Sequence, residues 1–127
     1  MLYLDTSAAV KMVNREEHTD ALADFLAGAP TVRLISCGLI RTELRRALGG
    51  PSPEAEALLG SMGIVELSAG LLDAAGRLVP GSPLRSLDAI HLSAASSLGR
   101  SLQTVVTYDQ RMAEAAAALG IPATTPV

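Results

Sequence analysis

Aromatic side chains are nearly missing from this chain: Tyr3, Phe25 and Tyr108 are the whole set, and there is no tryptophan. The core must therefore be aliphatic. The same scarcity excludes a row of aromatic platforms of the kind that stack single-stranded bases. Any contact with nucleic acid has to run through phosphates, a metal and arginine. Cysteine is reduced to Cys37 alone, which excludes an internal disulfide and a zinc site built on several thiolates. Cys37 closes the apolar stretch from Leu34 and reads as buried and inert. Lysine is reduced to Lys11, the other nine basic residues being arginine, the better phosphate ligand where two hydrogen bonds can form. No apolar run approaches the ~20 residues that cross a bilayer, so no membrane role is expected. The first residues lack a basic segment ahead of an apolar one and place an acid at Asp5, unlike a secretion signal. A cytoplasmic protein is the expectation.

What remains is a chain of 127 residues, 49% hydrophobic. That suits one globular domain over residues 1–127 with a real core. The net charge is −3, from 10 basic and 13 acidic residues. A plain nucleic-acid binder would be basic, so the sign counts against one unless some acids are taken up by a metal. With four acids so held, ten basic residues would face nine.

Hydrophobic periodicity alternates strands with helices. Strands are predicted at Leu2–Leu4, Val32–Ser36, Ile64–Leu67 and Gln103–Thr107, with a last short one at Ile121–Thr124. Helices are predicted from Asp5 through Met12, with Thr6 or Ser7 as cap, and at Glu16–Ala27, Leu39–Leu48 and Pro53–Leu59. Further helices follow at Gly70–Val79 and Leu84–Leu98, and after Asp109 as far as Leu119. Gly28, Gly49–Pro51, Pro80–Pro83 and Gly99 punctuate them. This order implies a four- or five-stranded parallel sheet covered on both faces, an α/β/α domain. Ligands of such sheets bind at the carboxyl ends of the strands, where Asp5 and Asp109 fall.

Two further acids lie on apolar stripes. Ile40, Glu43, Leu44 and Ala47 share one helical face. Asp88 lies on the face formed by Leu84, Leu87, His91, Ala94, Ala95 and Leu98. Each acid has an ordinary reading: Glu43 paired with Arg41 or Arg46 on its own helix, Asp88 favoured by the helix dipole, Asp5 and Asp109 as N-caps. Together they are four acids that one fold can bring to one place. Two carboxylates ~4 Å apart repel by about 4 kcal/mol at an effective dielectric of ~20, and a divalent cation removes that repulsion. Oxygen ligands without cysteine suit Mg²⁺ or Mn²⁺, whose chemistry is that of phosphodiester hydrolysis.

Four segments carry a family resemblance: Leu4-Asp5-Thr6-Ser7-Ala8, Ile40-Arg41-Thr42-Glu43-Leu44, Leu84-Arg85-Ser86-Leu87-Asp88-Ala89-Ile90-His91-Leu92, and Thr107-Tyr108-Asp109-Gln110-Arg111-Met112. In order and spacing they resemble the acidic motifs of PIN domains. The short length and the Leu-Asp-Ala-Ile-His stretch resemble the VapC-type toxins of VapBC toxin–antitoxin pairs in particular. The resemblance implies an α/β/α fold and Mg²⁺- or Mn²⁺-dependent endonucleolytic cleavage of RNA. It also implies a homodimer held in check by a VapB-type antitoxin, as a heterotetramer or larger complex.

The residues expected to act are Asp5 and Asp88 as metal ligands, Glu43 as ligand or as the group orienting the attacking water, and Asp109 completing the cluster. Thr6, Ser7 and Thr107 either donate to a bound water or phosphate or serve as structural hydrogen bonders. Arg41, Arg85 and Arg111 are candidate phosphate contacts, with Arg45 beside them; each could equally be a surface ion-pair partner. His91 is expected to be a packed, hydrogen-bonded core histidine rather than a general base, Met112 to be core, and His18 to be solvated. Alternative readings are a housekeeping RNA-processing nuclease of the same chemistry, an inactive PIN-like binding scaffold, and a signalling receiver domain. The last would need adjacent acids after the first strand and a lysine after the last, and this chain has neither.

Overall fold

The structure is a computed structural model describing residues 1–127. Its strands are β1 (Leu2–Leu4), β2 (Leu34–Cys37), β3 (Gly63–Val65), β4 (Thr104–Val106) and β5 (Ala123–Thr124). They form one sheet in the order β3-β2-β1-β4-β5, and every pairing is parallel. Seven helices fill the connections: α1 (Thr6–Val13), α2 (Thr19–Ala27), α3 (Ile40–Ala47), α4 (Pro53–Ser61), α5 (Ala69–Gly76), α6 (Ser86–Ser96) and α7 (Gln110–Ala118). A single 3₁₀ turn, Gly99–Ser101, leads from α6 into β4.

Successive strand residues point to opposite faces, and the core divides accordingly. Tyr3, Ile35, Cys37 and Val105 pack with Leu92, Ala94 and Ala95 of α6 and Met112, Ala115 and Ala116 of α7. Leu4 and Val106 pack on the other side with Ala8 and Ala9 of α1, Leu22 of α2, Ile40 and Leu44 of α3, and Ala55 and Leu59 of α4. Tyr3 is the one fully buried aromatic, with Phe25 and Tyr108 partly buried against the second layer. Strands so enclosed can be short and wholly apolar; β1 is buried at all three positions.

The strand order reverses at β1. The chain steps from β1 outward to β2 and β3, then crosses back to place β4 on the other side of β1. Right-handed crossovers put the helices of the two halves on opposite faces, which leaves a crevice at the carboxyl ends of β1 and β4.

Several local details differ from the sequence reading. The cap of α1 is Asp5 itself, whose side chain accepts from Ala8 N–H; neither Thr6 nor Ser7 caps it. Asp5 stands in extended backbone (φ −80, ψ 178) while Thr6 is already helical, and that backbone change defines the cap. α6 begins at Ser86, not Leu84, because Arg85 takes extended backbone (φ −74, ψ 156) and stands as the N-cap. Leu87 falls in that opening turn and is 48% exposed, so it is not part of the inner face. α2 starts at Thr19 rather than Glu16, because His18 takes a left-handed conformation (φ 68). The His18 ring lies nearly parallel to Tyr108, centroids 6.1 Å apart. It is thus packed on a neighbour rather than simply solvated.

Leu44 is completely buried in the layer beneath α3. Leu44→Ala is expected to cost about 2–5 kcal/mol, and Leu87→Ala to stay within about 0.5 kcal/mol. Urea denaturation midpoints compare the two directly, and similar losses would contradict the packing described.

Candidate active site

The carboxyl edge of the sheet is where the acids arrive. Asp5 follows β1 and Asp109 follows β4, each as the N-cap of the next helix. Glu43 lies in the first turn of α3, and Asp88 in the first turn of α6. α6 runs back toward the start of β4, so its opening turn stands at the carboxyl edge. All four acids, with Thr6, Ser7, Arg85, His91 and Met112, line one small cleft of about 160 Å³. A larger hollow of about 440 Å³ beside α5 and α6 has no titratable side chain in its lining.

Asp5 is 3% exposed. Its Oδ1 accepts from Ser7 Oγ at 2.6 Å and from Ala8 N–H at 3.0 Å, and its Oδ2 accepts from Thr107 Oγ1. Burial nevertheless dominates and holds its pKa above the usual carboxylate value. Ser7 Oγ also accepts from the backbone of Tyr108 at 2.8 Å, and Thr107 Oγ1 from that of Asp109 at 3.0 Å. These two hydroxyls tie the ends of β1 and β4 together while holding the buried acid.

Glu43 has no arginine partner on its own helix. Its Oε1 accepts from Thr6 Oγ1 at 2.8 Å and from His91 Nε2 at 2.6 Å. Arg41 and Arg46, the partners weighed for it, are exposed and form no ion pair with it, and Arg45 pairs with Glu56 at 2.6 Å. Both bonds of Glu43 fall on Oε1, leaving Oε2 to the cleft. His91, 2% exposed, is bracketed by Glu43 and by Tyr3 Oη, 2.7 Å from Nδ1. It is the packed, hydrogen-bonded histidine that the sequence suggested. Burial opposes its charged form, but hydrogen bonds to Cys37 and Glu43 outweigh burial and raise its pKa to about 10. Burial likewise pushes Glu43 upward, and the His91 and Thr6 bonds more than reverse it, leaving its pKa lowered.

Asp88 and Asp109 share one cation. Arg85 Nε lies 3.0 Å from Asp88 Oδ2 and Arg85 Nη2 lies 3.2 Å from Asp109 Oδ2. Asp109 Oδ1 is taken by the N–H groups of Arg111 and Met112. Asp88 Oδ1 has no protein partner and opens to the cleft. Of the arginines considered, Arg85 alone lines the cleft; Arg41 and Arg111 are exposed and lie outside its wall.

Hard divalent ions prefer oxygen donors, and every carboxylate here is one. The donor set therefore fits Mg²⁺ or Mn²⁺. As the side chains stand, no three of them close tightly enough on one point to grip an ion, with Arg85 holding two of them on itself. The link from Tyr3 through His91 to Glu43 was not legible in the sequence, because it joins positions 88 and 48 residues apart. Met112, expected as core, is buried and also forms part of the cleft wall.

A doubly covered parallel sheet with an acidic crevice at its switch point defines a class of small α/β domains suited to phosphodiester chemistry. The chain belongs to the PIN-domain family, whose profile matches residues 2–118. It is 40% identical to ribonuclease VapC35 of Mycobacterium tuberculosis, over 99% of this chain and 97% of that protein. Its fold is similar to that of VapC20 of Mycobacterium tuberculosis, a toxin that cleaves the sarcin-ricin loop: TM-score 0.75 at 16% identity, covering 99% and 100% of the two chains. It is similar also to a chain of VapBC2 from Rickettsia felis, bound to a DNA fragment of its promoter: TM-score 0.74 at 18% identity, with 98% of each chain covered.

The His91–Glu43 pair has a pH signature. His91 holds its proton more tightly folded than unfolded, so its contribution is complete below its unfolded value of 6.5 and fades as pH rises toward 10. Glu43 contributes above its unfolded value of 4.5 and loses that contribution as pH falls. In EDTA, His91→Gln should lose most stability relative to the parent between those two values, and the gap should narrow toward pH ~10. A gap that does not change with pH would mean that the ring binds its proton equally in the folded and unfolded chain, and a gap that shrinks as pH falls below 6.5 would mean that it is neutral when folded.

Proposed function

We propose that this chain is the ribonuclease toxin of a VapBC-type pair, hydrolysing RNA phosphodiester bonds with Mg²⁺ or Mn²⁺ at the acidic cleft. The observation that carries this reading is the convergence of Asp5, Glu43, Asp88 and Asp109, from four separate segments, on one cleft at the switch point. The ribonuclease name of the 40%-identical relative supports RNA as the polymer. Asp5 and Asp88 would hold the ion, with Asp109 beside them. The ion, when bound, supplies a more acidic water and screens the charge of the reacting phosphate.

The chain's own groups do the rest. Glu43, fixed through Oε1 by Thr6 and His91, presents Oε2 to accept a proton from the attacking water. Ser7 and Thr107 hold the Asp5 carboxylate in one orientation, as outer partners do for metal-binding carboxylates. Because the charge lies in the cleft and there is no aromatic platform, the strand would be gripped by its backbone rather than its bases.

A VapB-type antitoxin is the partner in this reading, since the fold matches a toxin–antitoxin complex. Homodimers of the toxin would assemble with it into a heterotetramer or larger complex. No helix is long and apolar enough to cross a membrane, and the cytoplasm is the proposed place of action.

Asp5→Asn should abolish cleavage of total RNA and the growth arrest that induction causes, with an unchanged circular dichroism spectrum; retained cleavage would remove the acid from the mechanism. EDTA should stop the wild-type reaction, and Mn²⁺ should restore it. Thr107→Val, which strips one donor from Asp5, should weaken metal affinity about 10–100-fold. RNA cleavage without growth arrest would favour a processing nuclease over a toxin.

A further inference from the structure

Arg85 places a cation in the cleft before any metal arrives. Its guanidinium does not grip one carboxylate with both arms. It bridges two, with Nε on Asp88 of α6 at 3.0 Å and Nη2 on Asp109 at the cap of α7 at 3.2 Å. Those two acids are among the groups a divalent ion would need. A guanidinium stays charged at any physiological pH, so it cannot yield its place by losing a proton. Two positive centres sharing the same carboxylate oxygens repel each other. Arg85 and an ion seated on Asp88 Oδ2 or Asp109 Oδ2 therefore exclude one another.

The surroundings let the side chain move while its backbone stays. Arg85 O accepts from Ala89 N–H at 2.9 Å, and Leu84 N–H donates to Ser82 Oγ at 3.0 Å. The residue is thus anchored at the start of α6. Its side chain is 64% exposed, while those of Asp88 and Asp109 are 11% and 25% exposed. The acids form the fixed wall, and the arginine reaches in from solvent. It makes no capping bond to the helix that its departure would break.

We propose that Arg85 is a displaceable counter-cation, which holds Asp88 and Asp109 in the metal-free protein, leaves them when a divalent ion enters, and then binds a phosphate of the substrate strand. This inference rests on the reading of the cleft as a metal-dependent ribonuclease site. Once released, the guanidinium stands at the mouth of the cleft with its donors free. Its planar fork matches a phosphate, with which it can form two parallel hydrogen bonds. One residue thus keeps the acids gathered when the ion is absent and receives the substrate when it is present.

The test is calorimetric titration of Mn²⁺ into the wild-type protein, Arg85→Gln and Arg85→Lys without RNA, followed by steady-state cleavage at saturating Mn²⁺. Melting curves in EDTA establish that each variant is folded. Arg85→Gln should bind Mn²⁺ about three- to tenfold more tightly, because two half-exposed ion pairs no longer compete. Its KM for RNA should rise, with kcat the less affected. Arg85→Lys, which keeps the charge without the fork, should fall between the two in both measurements. Mn²⁺ affinity in Arg85→Gln equal to or weaker than wild type would overturn displacement, and an unchanged KM would overturn the phosphate contact. A wild-type protein that binds no Mn²⁺ and cleaves RNA in EDTA would instead overturn the metal-dependent reading, and this inference with it.

Discussion

Four helices begin at one edge of the sheet, and each brings a carboxylate to its cap or first turn. This is a consequence of parallel topology. Strands that all point one way must hand over to helices at the same edge, and the amino end of a helix carries partial positive charge. An anion there gains about 0.3–1 kcal/mol. Asp5 and Asp109 use this as caps, Glu43 and Asp88 as first-turn acids. The ordinary structural readings of Asp5, Asp88 and Asp109 as caps or first-turn acids are thus correct, while Glu43 lacks the arginine pairing weighed for it; helix ends are also the means by which the acids meet. Capping and convergence do not compete here, because the fold puts the cap positions of separate helices around one cleft.

Helix ends do not offset the whole cost of burying a carboxylate. The raised pKa of Asp5 records what remains, since burial still outweighs three hydrogen-bond donors. The other acids are compensated by different means: Glu43 by a buried histidine and a threonine, Asp88 and Asp109 by a shared arginine. The acids of the cleft are therefore balanced by the chain's own donors, and under the proposal a divalent ion would compete with Arg85 while the hydroxyls of Ser7 and Thr107 remain in place. The layer beneath supports this arrangement. Tyr3, fully buried on β1, fixes His91, which fixes Glu43 across the end of the sheet.

Much of this was legible in the sequence, for identifiable reasons. Strand runs such as Thr104–Val106 are buried on both faces and β-branched, so they stand out from the helical stretches around them. The acids stood out because Glu43 and Asp88 interrupt apolar stripes, and Asp5 and Asp109 follow strands. The partners of the acids were not legible. Thr107 meets Asp5 from 102 residues away and His91 meets Glu43 from 48, and periodicity carries no information at that range. The local misreadings share another cause. Thr6 and Ser7 compete with Asp5 as caps of α1 in the sequence because Thr and Ser are themselves good caps, and only the backbone angles select Asp5. Leu87 matched the helical stripe but sits in an opening turn at the rim, where it is left exposed.

The central claim is that these separately anchored carboxylates close around a divalent ion. Anomalous diffraction from crystals grown with Mn²⁺ tests it most directly. The account predicts one or more manganese peaks in contact with Asp5 and Asp88, directly or through water, with the Arg85 side chain turned away from Asp88 and Asp109. A cleft without a manganese peak at saturating concentration, with Arg85 still bridging its two acids, would contradict it.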